Sequence, residues 1–221
     1  MKDIRLIIFD FDGTLGDTRR NIVLTLQETM RQAVLPVRDE VQCASTIGLT
    51  LEDGFATLFP ELSAEAVAAC AASYRLIFEK NRKRMAPQAF PGVRETLSEL
   101  HGRGIRMSIA SSRSSRSLHE LMEEMGLEDY IDYIVGAHDV THPKPDPEPV
   151  LKTLKALDVR PENALVVGDM PVDILMGSNA GAHTCGVTYG NATRAQLSAA
   201  GAEALIDSIV ELPGLLPEQR Q

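Results

Sequence analysis

Short apolar runs recur along this chain, each bounded by polar residues or glycine-containing turns, and they predict buried strands. They occupy residues 6–9, 105–110, 133–135, 164–167, about 183–188 and, more weakly, 204–206. Amphipathic segments separate most of them, with apolar positions at helical spacing in residues 93–100, 118–125 and 150–157. Strands that alternate with helices predict an α/β fold with a Rossmann-like parallel sheet and right-handed crossovers.

The segment between the first two strands has a different pattern. Residues 18–33 carry Ile22, Leu26 and Met30 at intervals of four, and residues 64–84 also read as helix. No strand-like run lies between these segments. We therefore predict an all-α cap domain at residues 17–86, inserted into an α/β core domain formed by residues 1–16 and 87–221.

Composition and charge narrow the class of protein. The chain has 221 residues, of which 44% are hydrophobic and 24% charged, which is ordinary for a globular protein. Its net charge of −9 argues against nucleic acid or an anionic membrane as the main partner. Cys43, Cys70 and Cys185 have no metal-ligand spacing, and their odd number favours a reducing compartment. With no signal peptide and no long apolar stretch in view, we expect a cytoplasmic protein.

Polar side chains follow four of the predicted strands. They are Asp10 and Asp12 after the first, Ser111, Ser112 and Arg113 after the second, Lys144 in a proline-rich loop after the third, and Asp169 and Asp173 after the fourth. The carboxyl ends of parallel strands meet at one edge of a sheet, where open α/β sheets bind ligands. The sequence therefore predicts that these groups share one pocket.

The chemistry of these groups favours phosphoryl transfer. Carboxylates without a histidine or cysteine cluster suit Mg²⁺, while Lys144, Ser111 and Ser112 offer donors to phosphoryl oxygens. Asp10 is placed to attack phosphorus and form an aspartyl-phosphate. Asp12 is placed to protonate the leaving oxygen and then to activate the water that hydrolyses the intermediate.

Ordinary structural roles stay open for several of these residues. Lys144 also fits a solvated loop lysine, Ser111 a helix cap, and Asp173 an acid in the first turn of a helix. Two sets of basic residues fit solvated helix and loop charges better than a binding patch. The sets are Arg103, Arg106, Arg113 and Arg116 near the second strand, and Arg75, Lys80, Arg82, Lys83 and Arg84 late in the cap.

Four motifs resemble those of the haloacid dehalogenase-like (HAD) hydrolases with a helical cap. They are Asp10-Phe-Asp12-Gly13-Thr14, Ser111 after a strand, Lys144-Pro145, and Gly168-Asp169-Met-Pro-Val-Asp173. The sequence around the first and third motifs most resembles the phosphoglycolate phosphatases and their pyrophosphatase relatives. The resemblance implies that Asp10 is the nucleophile, Asp12 the acid/base, and Ser111 and Lys144 the phosphoryl ligands. It also implies Mg²⁺ held by Asp10, the Asp12 backbone carbonyl and Asp169, with Asp173 acting through water.

The second acid, Asp12, points to transfer from oxygen, since the dehalogenases of the family lack it. We predict a Mg²⁺-dependent phosphatase of a small phosphorylated metabolite, with phosphoglycolate as the leading substrate. A cap loop with Thr46, Gly48 and Thr50 resembles the specificity loop of relatives. The alternatives are a sugar-phosphate mutase of the β-phosphoglucomutase type, an inorganic pyrophosphatase, and a non-catalytic phospholigand-binding regulatory protein. A monomer and a homodimer are both open.

Overall fold

The computed structural model describes residues 3–84 and 87–216, without the side chains of Lys83 and Arg84. The strands are β1 Leu6–Phe9, β2 Gly16–Asp17, β3 Gln88–Ala89, β4 Arg106–Ala110, β5 Tyr133–Val135, β6 Ala164–Gly168, β7 His183–Val187 and β8 Ala204–Ile206. The α-helices are α1 Arg19–Gln32, α2 Glu40–Ala44, α3 Leu51–Leu58, α4 Ala64–Arg84, α5 Val93–Gly102, α6 Ser115–Met125, α7 Glu148–Ala156, α8 Pro171–Asn179 and α9 Arg194–Ala199. Short 3₁₀ turns cover Glu128–Tyr130, Ala137–Asp139, Pro161–Asn163 and Ile209–Leu215.

Six strands form one parallel sheet in the order β5-β4-β1-β6-β7-β8. This confirms the predicted α/β class and the existence of every predicted strand. The central strand β1 lies between β4 and β6, and Phe9 is level with Ile109 and Val167. The loops that follow these three strands therefore leave the sheet at one edge, which brings distant parts of the sequence together.

Alternate side chains of β1 belong to two different hydrophobic clusters. Ile7 and Phe9 pack with residues of α5 and α6, including Leu97 and Leu121. Leu6 and Ile8 pack on the other face with residues of α7 and α8, including Val150 and Met176. A strand covered on both faces explains why its sequence is continuously apolar rather than alternating.

Helices α1 to α4 share a hydrophobic cluster of their own, built around residues such as Met30, Phe55, Phe59 and Phe78. This segment contains two short helices, α2 and α3, that the hydrophobic pattern did not single out. Its two ends are joined by an unexpected antiparallel pair, in which Gly16 lies opposite Ala89 in the β2–β3 ribbon. The boundaries at 16/17 and 86/87 stay a prediction, and Ala86 lies outside the described residues.

The helices of the described residues include none that is both long enough and apolar enough to cross a membrane.

Candidate active site

A tight loop after β1 places the first two acidic residues. The carbonyl of Phe11 accepts hydrogen bonds from the backbone N–H groups of Leu15 and Gly16, which folds the chain back on itself. Gly13 has a φ of +90°, and a Cβ atom there would lie 2.2 Å from Oδ2 of Asp169. Glycine is therefore required at this position for two reasons, the backbone conformation and the close approach of Asp169.

Lys144 lies at the centre of the site. Its Nζ donates to Oδ1 of Asp10 and to Oδ1 of Asp173, each at 2.6 Å. The three side chains are between 1% and 3% exposed. The interpretation of Lys144 as a solvated loop lysine is thus wrong, because its ammonium group is buried between two carboxylates.

Helix α8 and the end of β6 hold the other two acids. Asp173 keeps a helix-terminal role as well, since its Oδ2 accepts from the backbone N–H of Met170 at 3.0 Å. Oδ2 of Asp169 accepts from both the backbone N–H and the side-chain Nδ2 of Asn191, at 2.7 and 2.8 Å. Oδ1 of Asp169 accepts from the hydroxyl of Thr14 at 3.4 Å.

Burial in a cluster of acids perturbs the protonation of this site. Burial, with repulsion from Asp173 and Asp12, raises the pKa of Asp10 to about 7 against the pull of Lys144. Burial likewise raises the pKa of Asp169 well above its ordinary value. Burial disfavours the charge of Lys144, but the attraction of Asp10 and Asp173 outweighs it and raises the pKa of the ammonium group.

These side chains fit a hard divalent cation. Asp10, Asp169 and Asp173 each offer an oxygen, and the three oxygens lie within 4.8 Å of one another. In the described part of the chain, two buried oxygens near this point have no hydrogen-bond partner, Oδ2 of Asp10 and Oδ1 of Asn191. Three acids against one lysine leave excess negative charge, and oxygen ligands of this kind suit Mg²⁺.

Asp12 is not one of these three acids, and its side chain pairs with Arg113. Arg113 Nε donates to Oδ2 at 2.6 Å and Nη2 to Oδ1 at 2.8 Å, while the hydroxyl of Thr18 donates to Oδ1 at 2.5 Å. Burial opposes the charge of Arg113, yet the attraction of Asp12 raises the pKa of its guanidinium. The expectation of a solvated charge is therefore wrong for Arg113, although Arg116, with a side chain 90% exposed, fits it.

The two serines after β4 have different surroundings. Ser111 lines the same cavity as Asp10 and Asp12, and its Oγ accepts from the backbone N–H of Arg113 at 3.3 Å. It does not cap α6, because Ser114 takes that role. Ser112 instead donates from its hydroxyl to the carbonyl of Gly48 at 2.7 Å, which links the sheet edge to the helical segment.

A cavity of about 730 Å³ lies between the sheet edge and helices α1, α3 and α4. All three residues predicted from the cap loop line it, namely Thr46, Gly48 and Thr50. Two of them bond within their own segment: the Thr46 hydroxyl donates to the carbonyl of Cys43, and Thr50 caps α3. Every predicted site residue therefore either lines this cavity or belongs to the cluster of acids around Lys144. Ser112 lines the cavity and also links the sheet edge to the helical segment.

Sequence reasoning missed Asn191 and two aromatic residues of the cavity wall, Tyr74 and Phe78. Asn191 follows β7, so the rule that polar residues after strands converge would have found it had it been applied to a fifth strand. The aromatic pair gave no comparable signal. Tyr74 and Phe78 lie at helical spacing among apolar residues of α4, a pattern typical of core positions.

Comparisons with known proteins find a family model and relatives that match most of this chain. A family model described as haloacid dehalogenase-like hydrolase matches residues 7–187. A protein of Dickeya dadantii named "Probable phosphatase IndB" is 37% identical over 214 residues, which cover 95% of this chain and 92% of that protein. Pyrophosphatase PpaX of Halalkalibacterium halodurans is 34% identical over 190 residues, or 85% of each chain.

Solved structures show the same fold. A haloacid dehalogenase-like hydrolase of Bacteroides fragilis superimposes with a TM-score of 0.87 at 30% identity, covering 95% of this chain and 99% of that one. A predicted phosphoglycolate phosphatase of Haemophilus somnus superimposes with a TM-score of 0.89 at 20% identity, covering 97% and 99% of the two chains.

Proposed function

We propose, from the premise that this chain belongs to the haloacid dehalogenase-like hydrolases, that it is a phosphatase of small phosphorylated metabolites. Asp10 is the nucleophile and Asp12 the general acid and base. The proposal depends mainly on the different surroundings of the two carboxylate oxygens of Asp10. Lys144 holds Oδ1, while Oδ2 is buried without a hydrogen-bond partner among the described residues.

The reaction has two displacements at phosphorus. In the first, Oδ2 of Asp10 bonds to phosphorus, the bond from phosphorus to the leaving oxygen breaks, and Asp12 gives that oxygen a proton. In the second, Asp12 takes a proton from water, the water oxygen bonds to phosphorus, and the bond to Asp10 breaks. Phosphate leaves and both carboxylates return to their starting state. Lys144 holds Asp10 in place and, with Ser111, offers donors to the phosphoryl oxygens.

Mg²⁺ is the cofactor we propose, held by Asp10, Asp169, the backbone carbonyl of Asp12 and, through water, Asp173. When bound it would supply charge neutralisation to the phosphoryl oxygens. Three buried acids that bring oxygens within 4.8 Å of one another, and their excess over the single lysine, support this assignment. The cytoplasmic location stays a prediction from composition, and monomer and homodimer remain equally open.

Two substrates lead the candidates. Phosphoglycolate is supported by the motif resemblance, and inorganic pyrophosphate by relatives that carry the name pyrophosphatase. Both have a small, anionic leaving group. A sugar-phosphate mutase would instead return the phosphoryl group to a second hydroxyl of its substrate.

The test is phosphate release from phosphoglycolate, pyrophosphate, sugar phosphates and nucleotides, with Mg²⁺ and with a chelator. We expect Mg²⁺-dependent release that vanishes in Asp10→Asn. Asp129→Asn makes the same chemical change at an exposed turn and should keep full activity. Substantial Mg²⁺-dependent release in Asp10→Asn would contradict the mechanism, and conversion of a sugar phosphate without phosphate release would favour the mutase.

A further inference from the structure

Arg113 is held in an unusual setting for an arginine. Its side chain is 12% exposed, although it lines the cavity. The guanidinium carbon lies 4.5 Å from the ring centre of Phe78 in α4 and 5.9 Å from that of Phe11 after β1. Two rings from different parts of the chain therefore fix the position of a planar, permanently charged fork.

The other arginines that line the cavity have different surroundings. Arg75 pairs with Glu52 at 2.9 Å and Arg116 with Glu120 at 3.0 Å, and their side chains are 46% and 90% exposed. Among the described residues that line the cavity, Arg113 is thus the one arginine whose side chain is largely shielded from solvent. A substrate anion that enters the cavity beyond the phosphoryl group meets Arg113 as its best partner.

The pairing of Arg113 with Asp12 conflicts with the role proposed for Asp12. Both oxygens of Asp12 accept hydrogen bonds from the guanidinium, and Oδ1 also accepts from Thr18. An acceptor-only carboxylate has no proton to give to a leaving group. Asp12 must therefore part from Arg113 before it can act as an acid, and a buried guanidinium left without a partner would be costly.

We infer that Arg113 exchanges partners when substrate binds: its guanidinium releases Asp12 and takes a second anionic group on the leaving group of the substrate. This inference rests on the proposed function and narrows it to phosphate esters and anhydrides whose leaving group carries a carboxylate or a second phosphoryl group. The released Asp12 takes up a proton from hydronium of the bulk solvent and passes it to the leaving oxygen. After the second displacement Asp12 returns its recovered proton to solvent as it pairs with Arg113 again. The guanidinium stays paired throughout, so the exchange leaves no buried charge alone.

The exchange makes Arg113 a specificity-determining residue. A neutral leaving group cannot replace a carboxylate on the guanidinium, so Asp12 stays paired and the first displacement lacks its acid. The energy of binding the second anion is thereby used to prepare the catalytic group. Arg113, which follows a strand of the sheet, then contributes to the selection of an anionic leaving group together with the cap loop.

The test compares phosphoglycolate with 2-hydroxyethyl phosphate, which replaces the carboxylate by a neutral alcohol at nearly the same size. Pyrophosphate forms a separate arm for a second phosphoryl group. Arg113→Gln should lower the ratio of kcat/KM for the anionic substrate over the neutral one by at least ten-fold. Arg160→Gln removes the same charge from an exposed position outside the cavity and should keep the ratio. Arg113→Lys should give an intermediate ratio, because it keeps the charge without the fork.

The two arms identify the anion that Arg113 takes. A fall confined to phosphoglycolate assigns a carboxylate, a fall confined to pyrophosphate assigns a phosphoryl group, and a fall in both supports the shared chemistry. An equal loss of activity on anionic and neutral substrates would overturn the inference, because it is what a purely structural role of Arg113 predicts.

A binding experiment separates this inference from the proposed function. Calorimetry with Asp10→Asn and Asp10→Asn/Arg113→Gln should show at least ten-fold weaker binding of phosphoglycolate to the double variant, and no such difference for 2-hydroxyethyl phosphate. Asp10-dependent turnover with an unchanged substrate ratio rejects only the role of Arg113. Absence of turnover on every substrate rejects the proposed function, and the calorimetry then still decides whether Arg113 takes a second anion. If Arg113→Gln does not fold, the same comparisons use Arg113→Lys.

Discussion

In the absence of metal, the acid cluster should make the protein less stable as the pH rises. The folded state raises the pKa of Asp10 from its ordinary value of 3.8 to about 7, mainly by burial. Between these two values the folded state holds a proton that the unfolded chain releases. The stability from this group is therefore complete below about pH 4 and is lost as the pH rises through 7.

The size of the effect follows from the two pKa values. Each unit of difference corresponds to about 1.4 kcal/mol, so a rise from 3.8 to about 7 gives about 4 kcal/mol for Asp10. That is a large part of the total stability of an ordinary domain, about 5–15 kcal/mol. The neighbouring Asp169 titrates in the same direction and adds to the loss.

The assay is urea denaturation at pH values from 4 to 8 with a chelator present, on the wild type and on Asp10→Asn. Other groups titrate in both proteins, so the quantity of interest is the difference between their unfolding free energies. We expect Asp10→Asn to gain about 4 kcal/mol relative to the wild type across this range. Mg²⁺ should reverse much of the gain above pH 7, because a cation stabilises the charged acid.

A difference that stays flat from pH 4 to 8 would refute the reasoning. Such a result would mean that Lys144 fully offsets the burial of Asp10, so that this carboxyl keeps its ordinary pKa in the folded protein. A gain that persists unchanged in Mg²⁺ would instead contradict the assignment of Asp10 as a metal ligand.

The remaining predictions concern single side chains at the same edge of the sheet. Lys144→Met should lower the unfolding free energy in chelator by about 3–5 kcal/mol, since it leaves buried carboxylates without their cation, and urea denaturation measures the loss. Asn191→Ala should weaken Mg²⁺ binding about 10–100-fold, because Asn191 orients Asp169; calorimetry would show this, and unaltered affinity would contradict it. Gly13→Ala should abolish phosphate release while circular dichroism stays native-like, because the added methyl group displaces Asp169; activity near the wild-type level would disprove the proposed contact.

Local sequence patterns were sufficient to predict the strands of the sheet and most of the polar residues that follow them. A strand buried on both faces is continuously apolar, as in β1 and β6, and the residue where the apolar run stops marks the end of the strand. Asp10 and Asp169 were found in this way. The order of the strands was not predicted, because it depends on which face of the sheet each connecting helix covers. Local sequence patterns do not contain that information.

The individual ion pairs formed by the charged residues could not be predicted from the sequence either. Arg113 follows two serines in a loop and looks like any solvated arginine, since what buries it is Phe78, a residue of α4 in a distant segment. Lys144 could be placed near the pocket by its position after β5, but its two carboxylate partners lie 134 and 29 residues away. Such pairs are decided by tertiary packing, which the spacing of residues along a chain does not encode.

The β2–β3 ribbon has a consequence for how proteins of this architecture can change. Gly16 pairs with Ala89 and Asp17 with Gln88, so the chain leaves the core and returns to it at adjacent points, about 5 Å apart. Whatever lies between those points can be shortened, enlarged or exchanged without moving the sheet, because the junction sets no length for it. A two-residue turn in place of residues 18–87 would already close the ribbon as a hairpin. The architecture thus allows the helical segment to be replaced as a module, while the sheet edge, to which we assign the cleavage of the phosphate bond, is inherited intact.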